Sequence, residues 1–563
     1  QIYCISPTKV NVAGKLTCMC FDKTGTLTEP GVELVGVWPR GSHSFDLISD
    51  EALLETLVTM GDNGRQFSRT MLSCHNLVHL NNVLVGDPME IKIFEAVRGQ
   101  LANANDHSPH AIVQTNVHDD SDKIELKIVE RFEFQSSLQR MSVIAQCQST
   151  NKTYLLTKGS PEMIYQLADR STTPDDYNDI LHNFVSKGYR VIAVASRELS
   201  SFESNATRED LERGLSFHGF IIFQNHLKPG TRESIRELKN VHINTVMITG
   251  DNTHTALAVA RHCDIIDSTH PVFVSHVPTP GNGSSSGDIE WINADSRQVI
   301  DTESLLNDQD SRVEVVISGS AFDILLDQHK YDTHHGAGNS ISNLQKLLLR
   351  CHVYARMSPD QKMKVVEQLQ KMDYSVGFCG DGFNDNKALS GSDVGVSLSE
   401  VETGMSAPFT SLQPTIACIP KIIREGRAAL TLSFQLFKFM SCYSFIQFFA
   451  VLLLYRINSD LGDWQFLFID VIIIMPVVFL TSYTEPIERL TRRKPSGSLL
   501  SAATFVSMIF QLVISLGLQA LVLVYLSYQS WFTPLDPLPN SKKNVLCAES
   551  TSVFLMACYQ TIG

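Results

Sequence analysis

Residues 16–28 read LTCMCFDKTGTLT, a short apolar run that changes abruptly into a polar, glycine-containing sequence at Asp22. The same design returns at residues 243–252 (INTVMITGDN) and 374–385 (YSVGFCGDGFND). Each apolar run predicts a buried β-strand that delivers a carboxylate at its carboxyl end. Three such units predict a doubly wound parallel sheet of the α/β class, in which ligands bind beyond the carboxyl ends of the strands.

The carboxylates at these strand ends are suited to phosphoryl chemistry. Asp22 can attack phosphorus and form an aspartyl phosphate if cations neutralise the phosphate charge. Mg²⁺ takes oxygen ligands, and Asp22, the carbonyl of Thr24 and Asp381 can supply them. We expect Lys362 and the hydroxyl of Thr249 to hold the phosphoryl oxygens. Two further residues are expected to order the metal shell, namely Asn384 and Asp385. A helix N-cap would explain any one of these aspartates, but three at matching strand ends favour a site.

Position 24 separates two kinds of phosphoryl chemistry. Soluble phosphatases of this sheet type place a second aspartate two residues after the nucleophile, where it protonates the leaving group and then activates water. Thr24 occupies that position and cannot perform this acid–base role efficiently. The acyl phosphate is therefore expected to persist, which suits a pump cycle. A phosphatase or phosphomutase of this sheet class, and a noncatalytic nucleotide-binding fragment, remain alternatives.

The apolar residues concentrate in the last quarter of the chain. Residues 434–455, 463–483 and 503–528 are each long enough to cross a bilayer, and a fourth run begins near Thr551 and stops within the span. The loop 484–501 carries four basic residues, so it is predicted to be cytosolic, together with residues 1–430. The chain is thus expected to be a multi-pass membrane protein in contact with the lipid bilayer, cut at both ends.

Composition excludes other classes of protein. Among 563 residues, 46 are Lys or Arg and 60 are Asp or Glu, giving a formal charge of −14, which argues against nucleic acid as a partner. The 12 cysteines form no CxxC pair and are expected to be reduced cytosolic thiols. Residues 268–312, rich in Pro, Gly and Ser, predict a flexible surface insertion.

The motifs DKTGTLT, TGDN and GDGxND, with Lys362 upstream of the last, resemble those of P-type ATPases. The resemblance implies a HAD-like phosphorylation domain from residues 1–35 and 216–430, an inserted α+β nucleotide-binding domain at 36–215, and transmembrane helices at 431–563. It also implies Mg²⁺ and ATP as cofactors. The catalytic residues that it implies are Asp22, Lys23, Thr24, Thr249, Gly250, Asp251, Lys362, Asn384 and Asp385.

The resemblance extends to a nucleotide site. Phe134 is similar to the adenine-stacking residue of the family, Lys158 to its pocket lysine and Arg190 to its phosphate-contacting arginine. Singly, each has a plainer interpretation as a core or surface residue, but their order between the first and second motifs favours ATP binding. The remaining implied nucleotide contacts are Glu90, Arg140 and Arg356.

Within the family, DKTGTLTEPG, GDPMEIKIFE, FQSSLQRMSVI and QFLFID resemble type V, subgroup B, whose members are endolysosomal polyamine transporters. Asp470 lies deep in a predicted span, with Tyr443 and Gln447 on one face of the preceding span, so these three are expected to line the cargo path. Interhelical hydrogen bonding is the structural alternative, and an inorganic cation or a membrane-protein helix the alternative cargo. Phe383 stands where the family has a small alanine. The family's TGE loop is absent from the sequence, so this chain is expected only to autophosphorylate.

Overall fold

The computed structural model describes most of the chain. The described residues are 2–41, 53, 57, 60–80, 83–102, 112–115, 124–135, 138–199, 207–278, 289–307, 313–334, 342–381, 385–398, 407–456, 459–495, 502–532 and 548–562.

A central sheet of eleven strands is formed by the described residues. Its eight inner strands are parallel, and both edges end in antiparallel pairing. The strands lie in the order Ile2–Cys4, Phe409–Ser411, Val394–Ser397, Val376–Gly380, Cys18–Phe21, Asn244–Ile248, Cys351–Ala355, Glu314–Ser318, Val272–His276, Glu290–Asn293 and Val299–Asp301.

Both faces of the central sheet are covered. Side chains alternate between the faces of a strand, and in strand Cys18–Phe21 Met19 and Phe21 join one apolar cluster while Cys18 and Cys20 join another. This two-sided burial confirms the predicted α/β fold. The helices of this part are Thr8–Ala13, Thr231–Asn240, Thr253–His262, Thr302–Asn307, Gly319–His334, Asn343–Arg350, Pro359–Lys371 and Asn386–Gly391.

A second sheet, of eight antiparallel strands, is inserted between the first and second motifs. Its strands lie in the order Glu33–Pro39, Ser216–Gln224, Arg190–Leu199, Thr153–Gly159, Arg140–Cys147, Glu125–Gln135, Ile112–Thr115 and Gly99–Ala102. A separate hairpin pairs Val78–Leu80 with Val83–Val85. The helices of this part are Asp62–Ser73, Pro88–Ala96, Pro161–Leu167, Tyr177–Ser186 and Arg208–Leu211.

Two details differ from the sequence-based expectations. The edge strands of the second sheet begin at Glu33 and end at Gln224, beyond the predicted limits of 36–215, because the chain enters and leaves this sheet on paired neighbouring strands. The interval 268–312, predicted as a flexible insertion, contributes three strands and a helix to the central sheet. Its Pro- and Gly-rich centre, residues 279–288, lies outside the described residues.

Three helical segments of the described chain are long and apolar enough to cross a membrane, namely Cys418–Tyr455, Asp463–Thr481 and Thr504–Ser527. The second contains a π-helical stretch, Ile469–Ile474, that holds Asp470. The third belongs to helix Ala502–Ser527, and helix Ala548–Ile562 packs against it.

The helix Cys418–Tyr455 joins the membrane segments to the central sheet. It is 38 residues long, and Ile419, Ile422 and Ile423 near its start are buried in an apolar cluster of that sheet. Arg427 on the same helix donates to the carbonyl of Thr491 at 2.5 Å, in the loop after the second membrane segment. The amino-terminal part of this helix is therefore packed against the central sheet.

Candidate active site

The strand ends that carry the three motifs lie side by side. Phe21 pairs in register with Met247 on one neighbouring strand and with Cys379 on the other. Because parallel strands place their carboxyl ends at one edge of a sheet, this register brings Asp22 between the ends that bear Thr249 and Asp381.

A lysine bridges two of the carboxylates. Lys362 Nζ donates to Asp22 Oδ1 at 2.6 Å and to Asp385 Oδ1 at 2.7 Å. The lysine is held by the first turn of helix Pro359–Lys371, where Ser358 and Gln361 form a capping box. Lys362 and Asp385 are both almost fully buried, so the attraction of Lys362 to the two carboxylates and the repulsion between Asp22 and Asp385 are weakly screened by water.

The charges of this cluster shift its titration. Burial raises the pKa of Asp22, and the neighbouring Lys362 ammonium opposes the shift. Burial and the charge of Asp22 raise the pKa of Asp385 to about 7. Burial alone would lower the pKa of Lys362, but Asp22 and Asp385 outweigh it and raise that pKa. An excess of carboxylates over cations therefore favours a further cation in the site.

The site fits a hard divalent cation. Carboxylate oxygens of Asp22, Asp381 and Asp385 all lie within 4.8 Å of one another. Gly25 has a φ of +74°, and a β-carbon there would lie 1.6 Å from Asp381 Oδ2, so only glycine leaves room for that carboxylate. Three clustered oxygen donors are what Mg²⁺ prefers. Asp22 and Asp381 are two of the predicted metal ligands, and Asp385 is predicted only to order the metal shell. The side chain of Thr24 is exposed beside them.

The second motif adds polar groups to the same edge. Thr249 is buried, and its hydroxyl accepts from the backbone N–H of Asp251 at 3.1 Å. Lys23 Nζ lies 2.5 Å from Asp251 Oδ2. Gly250 lies between the two residues, and the backbone N–H of Arg356 donates to the Asp251 carbonyl. Asn384, with its neighbour Phe383, lies outside the described residues.

Lys228 is a site residue that sequence analysis missed. Its Nζ donates to the carbonyl of Gly25, and the Asp381 carboxylate opposes the lowering of its pKa by burial. The only local signal is a Lys-Pro-Gly turn after strand Ser216–Gln224, which is a common turn sequence and carries no indication of chemistry.

The predicted nucleotide residues divide into two groups on the second sheet. Lys158 Nζ and Glu90 Oε1 are 2.8 Å apart and both side chains are mostly buried. Phe134 is 59% exposed, as expected of an aromatic face that awaits a ligand. Arg140 instead is buried and its Nε lies 2.5 Å from Glu212 Oε2. Because Arg140 is paired with Glu212, its charge is already neutralised, unlike that of a free cation available to a nucleotide.

The two remaining predicted nucleotide residues face the boundary between the sheets. Arg190 and Arg356 are both exposed. Close to Arg190, Gly188 has a φ of +85°, and a β-carbon there would lie 2.7 Å from the β-carbon of Ala258. Ala258 belongs to helix Thr253–His262, which begins directly after the second motif. The two parts thus touch next to the phosphoryl site.

In the membrane segments, the Tyr443 hydroxyl donates to Asp470 Oδ1 at 2.7 Å. Gln447 is one helical turn further on, and its Nε2 is buried without a partner among the described residues. Tyr443 also lines a cavity of about 320 Å³, whose polar lining residues are Gln435, Lys438, Gln511, Gln560 and Thr561. Of the three residues predicted for a cargo path, the structure therefore brings Tyr443 and Asp470 into contact, with Gln447 one turn away on the helix of Tyr443.

Comparisons with known proteins agree with this architecture. The family model for the P-type ATPase cytoplasmic domain N matches residues 73–230. The chain is 38% identical over 579 residues to polyamine-transporting ATPase 13A3 of Homo sapiens, covering 95% of this chain and 46% of the relative. It is 35% identical over 585 residues to polyamine-transporting ATPase 13A2 of Homo sapiens, covering 99% and 48%.

A third relative, the vacuolar cation-transporting ATPase YPK9 of Saccharomyces cerevisiae, is 35% identical over 618 residues, which cover 100% of this chain and 41% of the relative. The chain spans about half the length of the curated relatives it matches.

Proposed function

Because the chain is homologous to P-type ATPases over almost its whole length, we propose that it is the catalytic half of an ATP-driven cation pump that forms an aspartyl phosphate at Asp22. The observation that carries the proposal is the buried contact between Asp22 and Lys362, at the one sheet edge where three motif-bearing strands end.

In the proposed phosphoryl transfer, each group of the site has a role. An oxygen of Asp22 attacks the γ-phosphorus of ATP; the new bond joins Asp22 to phosphorus, and the broken bond releases ADP with its electron pair. The Lys362 ammonium opposes the protonation of Asp22, to which it donates, and can then donate to the transferred phosphoryl oxygens. The Thr249 hydroxyl lies at the neighbouring strand end, where it can donate to the same group.

Mg²⁺, held by Asp22, the Thr24 carbonyl and Asp381, would supply neutralisation of the phosphate charge. Thr24 has no carboxylate with which to activate water, so the acyl phosphate is expected to survive rather than hydrolyse at once. This persistence distinguishes the proposed pump from a phosphatase or phosphomutase.

The test is to trap the covalent intermediate. The chain is mixed with γ-labelled ATP and Mg²⁺, then quenched in acid. We expect protein-bound label that is stable in acid and released by hydroxylamine. Rapid multiple turnover without a trapped intermediate would support the phosphatase alternative, and no labelling at all would support a noncatalytic fragment.

We further propose that the cargo is a polyamine or another cation, in an endosomal or lysosomal membrane with residues 1–430 on the cytosolic side. The support is Asp470, which shares a hydrogen bond with Tyr443 but has no basic partner among the described residues. A carboxylate within a membrane span is costly unless a cation or a proton accompanies it.

Asp470→Asn tests the cargo path in the full-length protein. We expect phosphorylation by ATP to remain and polyamine-stimulated dephosphorylation to be lost. Asp470→Glu should retain a partial response because the charge survives. Full stimulation of Asp470→Asn would show that Asp470 is a structural hydrogen-bonding group.

A further inference from the structure

Arg131 is the least explained charged residue of the second sheet. Its Nε and Nη2 atoms are buried, and neither has a hydrogen-bond partner among the described residues. Buried guanidinium donors without acceptors are costly, and such orphaned groups in a folded protein indicate a missing ligand or water.

The strand register places Arg131 on the face that carries the nucleotide residues. Arg131 pairs with Val143, and Val143 pairs with Leu156, so the three side chains share one face of the sheet. Lys158 lies two residues beyond Leu156 on the same strand and therefore on the same face. Burial lowers the pKa of Arg131 while the Glu90 carboxylate opposes the shift, which agrees with this placement.

The same register fixes which end of a nucleotide Arg131 can reach. The row of Arg131 and Leu156 continues to Ser196 on the next strand, six residues from Arg190. At ~3.3 Å per residue, that row is roughly 20 Å from Arg190 along the strand. Arg190 lies at the boundary with the phosphoryl site, so Arg131 lies at the far end of the pocket, beyond Lys158.

We propose that Arg131 is a base-recognition residue, whose free N–H groups donate to a ring nitrogen of adenine on the edge remote from the ribose. This inference rests on the proposed function, because it assumes that the second sheet binds ATP with its phosphates toward Asp22. It assigns to Arg131 a selectivity role for the base that is separate from the phosphate contacts of Arg190.

The experiment measures binding by calorimetry to the purified chain. The variants are Arg131→Met, which keeps the stem and removes the donors, and Arg131→Lys, which keeps the charge. Lys127→Met, on the same strand, is the matched control. The ligands are the non-hydrolysable ATP analogue AMPPCP, AMP and adenosine.

We expect Arg131→Met to weaken all three ligands by about the same factor, on the order of 10-fold, with a smaller loss in Arg131→Lys and none in Lys127→Met. In addition, 1-deazaadenosine and 7-deazaadenosine each lack one ring acceptor. The analogue that lacks the nitrogen contacted by Arg131 should bind the unsubstituted chain and Arg131→Met with equal affinity.

Three results would overturn the inference. A loss that shrinks from AMPPCP to adenosine would show a phosphate contact, and unchanged affinity with a lowered melting temperature would show a purely structural role. If Arg131→Met binds both deaza analogues more weakly than the unsubstituted chain does, a ring-nitrogen contact is excluded. If the unsubstituted chain binds none of these ligands, the proposed function itself fails, which is a separate outcome.

Discussion

The two sheets of the molecule use their side chains in opposite ways. The central parallel sheet holds its functional groups at strand ends, where Asp22, Lys362 and Asp385 are buried within hydrogen-bond distance. The antiparallel second sheet holds them on a face, where Phe134 is exposed and Arg131 has unpaired donors. A preformed, closed cluster suits chemistry, whereas an open face with unsatisfied groups suits reversible binding. Substitutions in the first should change rate, and in the second affinity.

The largest effect is expected for Asp22→Asn. The amide keeps the shape but lacks the nucleophilic charge, so covalent labelling by ATP should fall to background while nucleotide affinity stays unchanged. Acid-quench labelling and calorimetry on the same preparation measure both. Asp267→Asn, at an exposed aspartate outside the site, should label normally. Label on another residue of Asp22→Asn would remove the assignment of the nucleophile.

Lys362→Met should slow phosphorylation by about 10²–10³-fold, the usual cost of losing one preorganised electrostatic partner. Quenched-flow rates at saturating ATP test this, with affinity again unchanged. The exposed Lys364, two residues further on the same helix, supplies the control Lys364→Met. Equal phosphorylation rates in Lys362→Met and Lys364→Met would contradict the contrast between the two sheets, because the cluster at the strand ends would then not determine the rate.

Phe134→Ala should weaken ATP binding by about 1–3 kcal/mol, the range for base stacking on an aromatic ring. Saturating ATP should restore the phosphorylation rate, since the strand-end cluster is intact. Phe134→Tyr keeps the ring and should bind almost normally. An undiminished affinity of Phe134→Ala would exclude stacking on this residue.

Ala258→Leu tests the boundary between the two sheets. The larger side chain would meet Gly188 and hold the parts further apart, at a cost in the range of about 1–3 kcal/mol for overpacking. We expect phosphorylation to slow by about 10-fold with little change in affinity. His262→Leu, at the exposed end of the same helix, is the control. A loss of affinity instead of rate would show that the contact shapes the binding face.

The smallest effect concerns the pH dependence of stability in the second sheet. His75 is buried; its Nε2 faces the Leu72 carbonyl and its Nδ1 accepts from Leu77 N–H, so its neutral form is fixed. Burial, together with Lys158 and Arg131, lowers its pKa to about 3.

Between pH 6.5 and 3 the unfolded chain therefore binds a proton at His75 that the folded chain does not, and stability falls as pH falls. From pH 7 to 6 the loss should be about 0.7 kcal/mol. Denaturant unfolding, followed with a spectroscopic probe in the second sheet, measures this loss. The slope should be smaller in His75→Gln and unchanged in His79→Gln, which alters an exposed histidine of the neighbouring hairpin.

Sequence reasoning reached the central site more completely than the binding face. The strand-end motifs are local, and parallel pairing brings their ends together whatever the intervening chain does, so Asp22, Asp381 and Lys362 could be predicted as neighbours. The sequence could not show which face of the second sheet Arg131 and Arg140 each occupy. The strand register decides that Arg140 faces Glu212 while Arg131 shares a face of the sheet with Lys158, and register depends on bulges that the sequence does not reveal.

The same limit explains the interval 268–312. Its composition indicates a loop, but short strands such as Val272–His276 gain their stability from pairing with an existing sheet edge, which a local composition cannot reveal.

The helix Cys418–Tyr455 connects the central sheet to the contact between Tyr443 and Asp470. Its amino-terminal part packs against the central sheet at Ile423, and Tyr443 lies twenty residues further along the helix, ~30 Å along the axis. A tilt of about 5° at Ile423 would carry Tyr443 sideways by about 3 Å. That displacement is comparable with the 2.7 Å length of its hydrogen bond to Asp470. A small tilt where the helix packs on the sheet would thus be amplified, by the length of the helix alone, into a displacement large enough to break the contact between Tyr443 and Asp470.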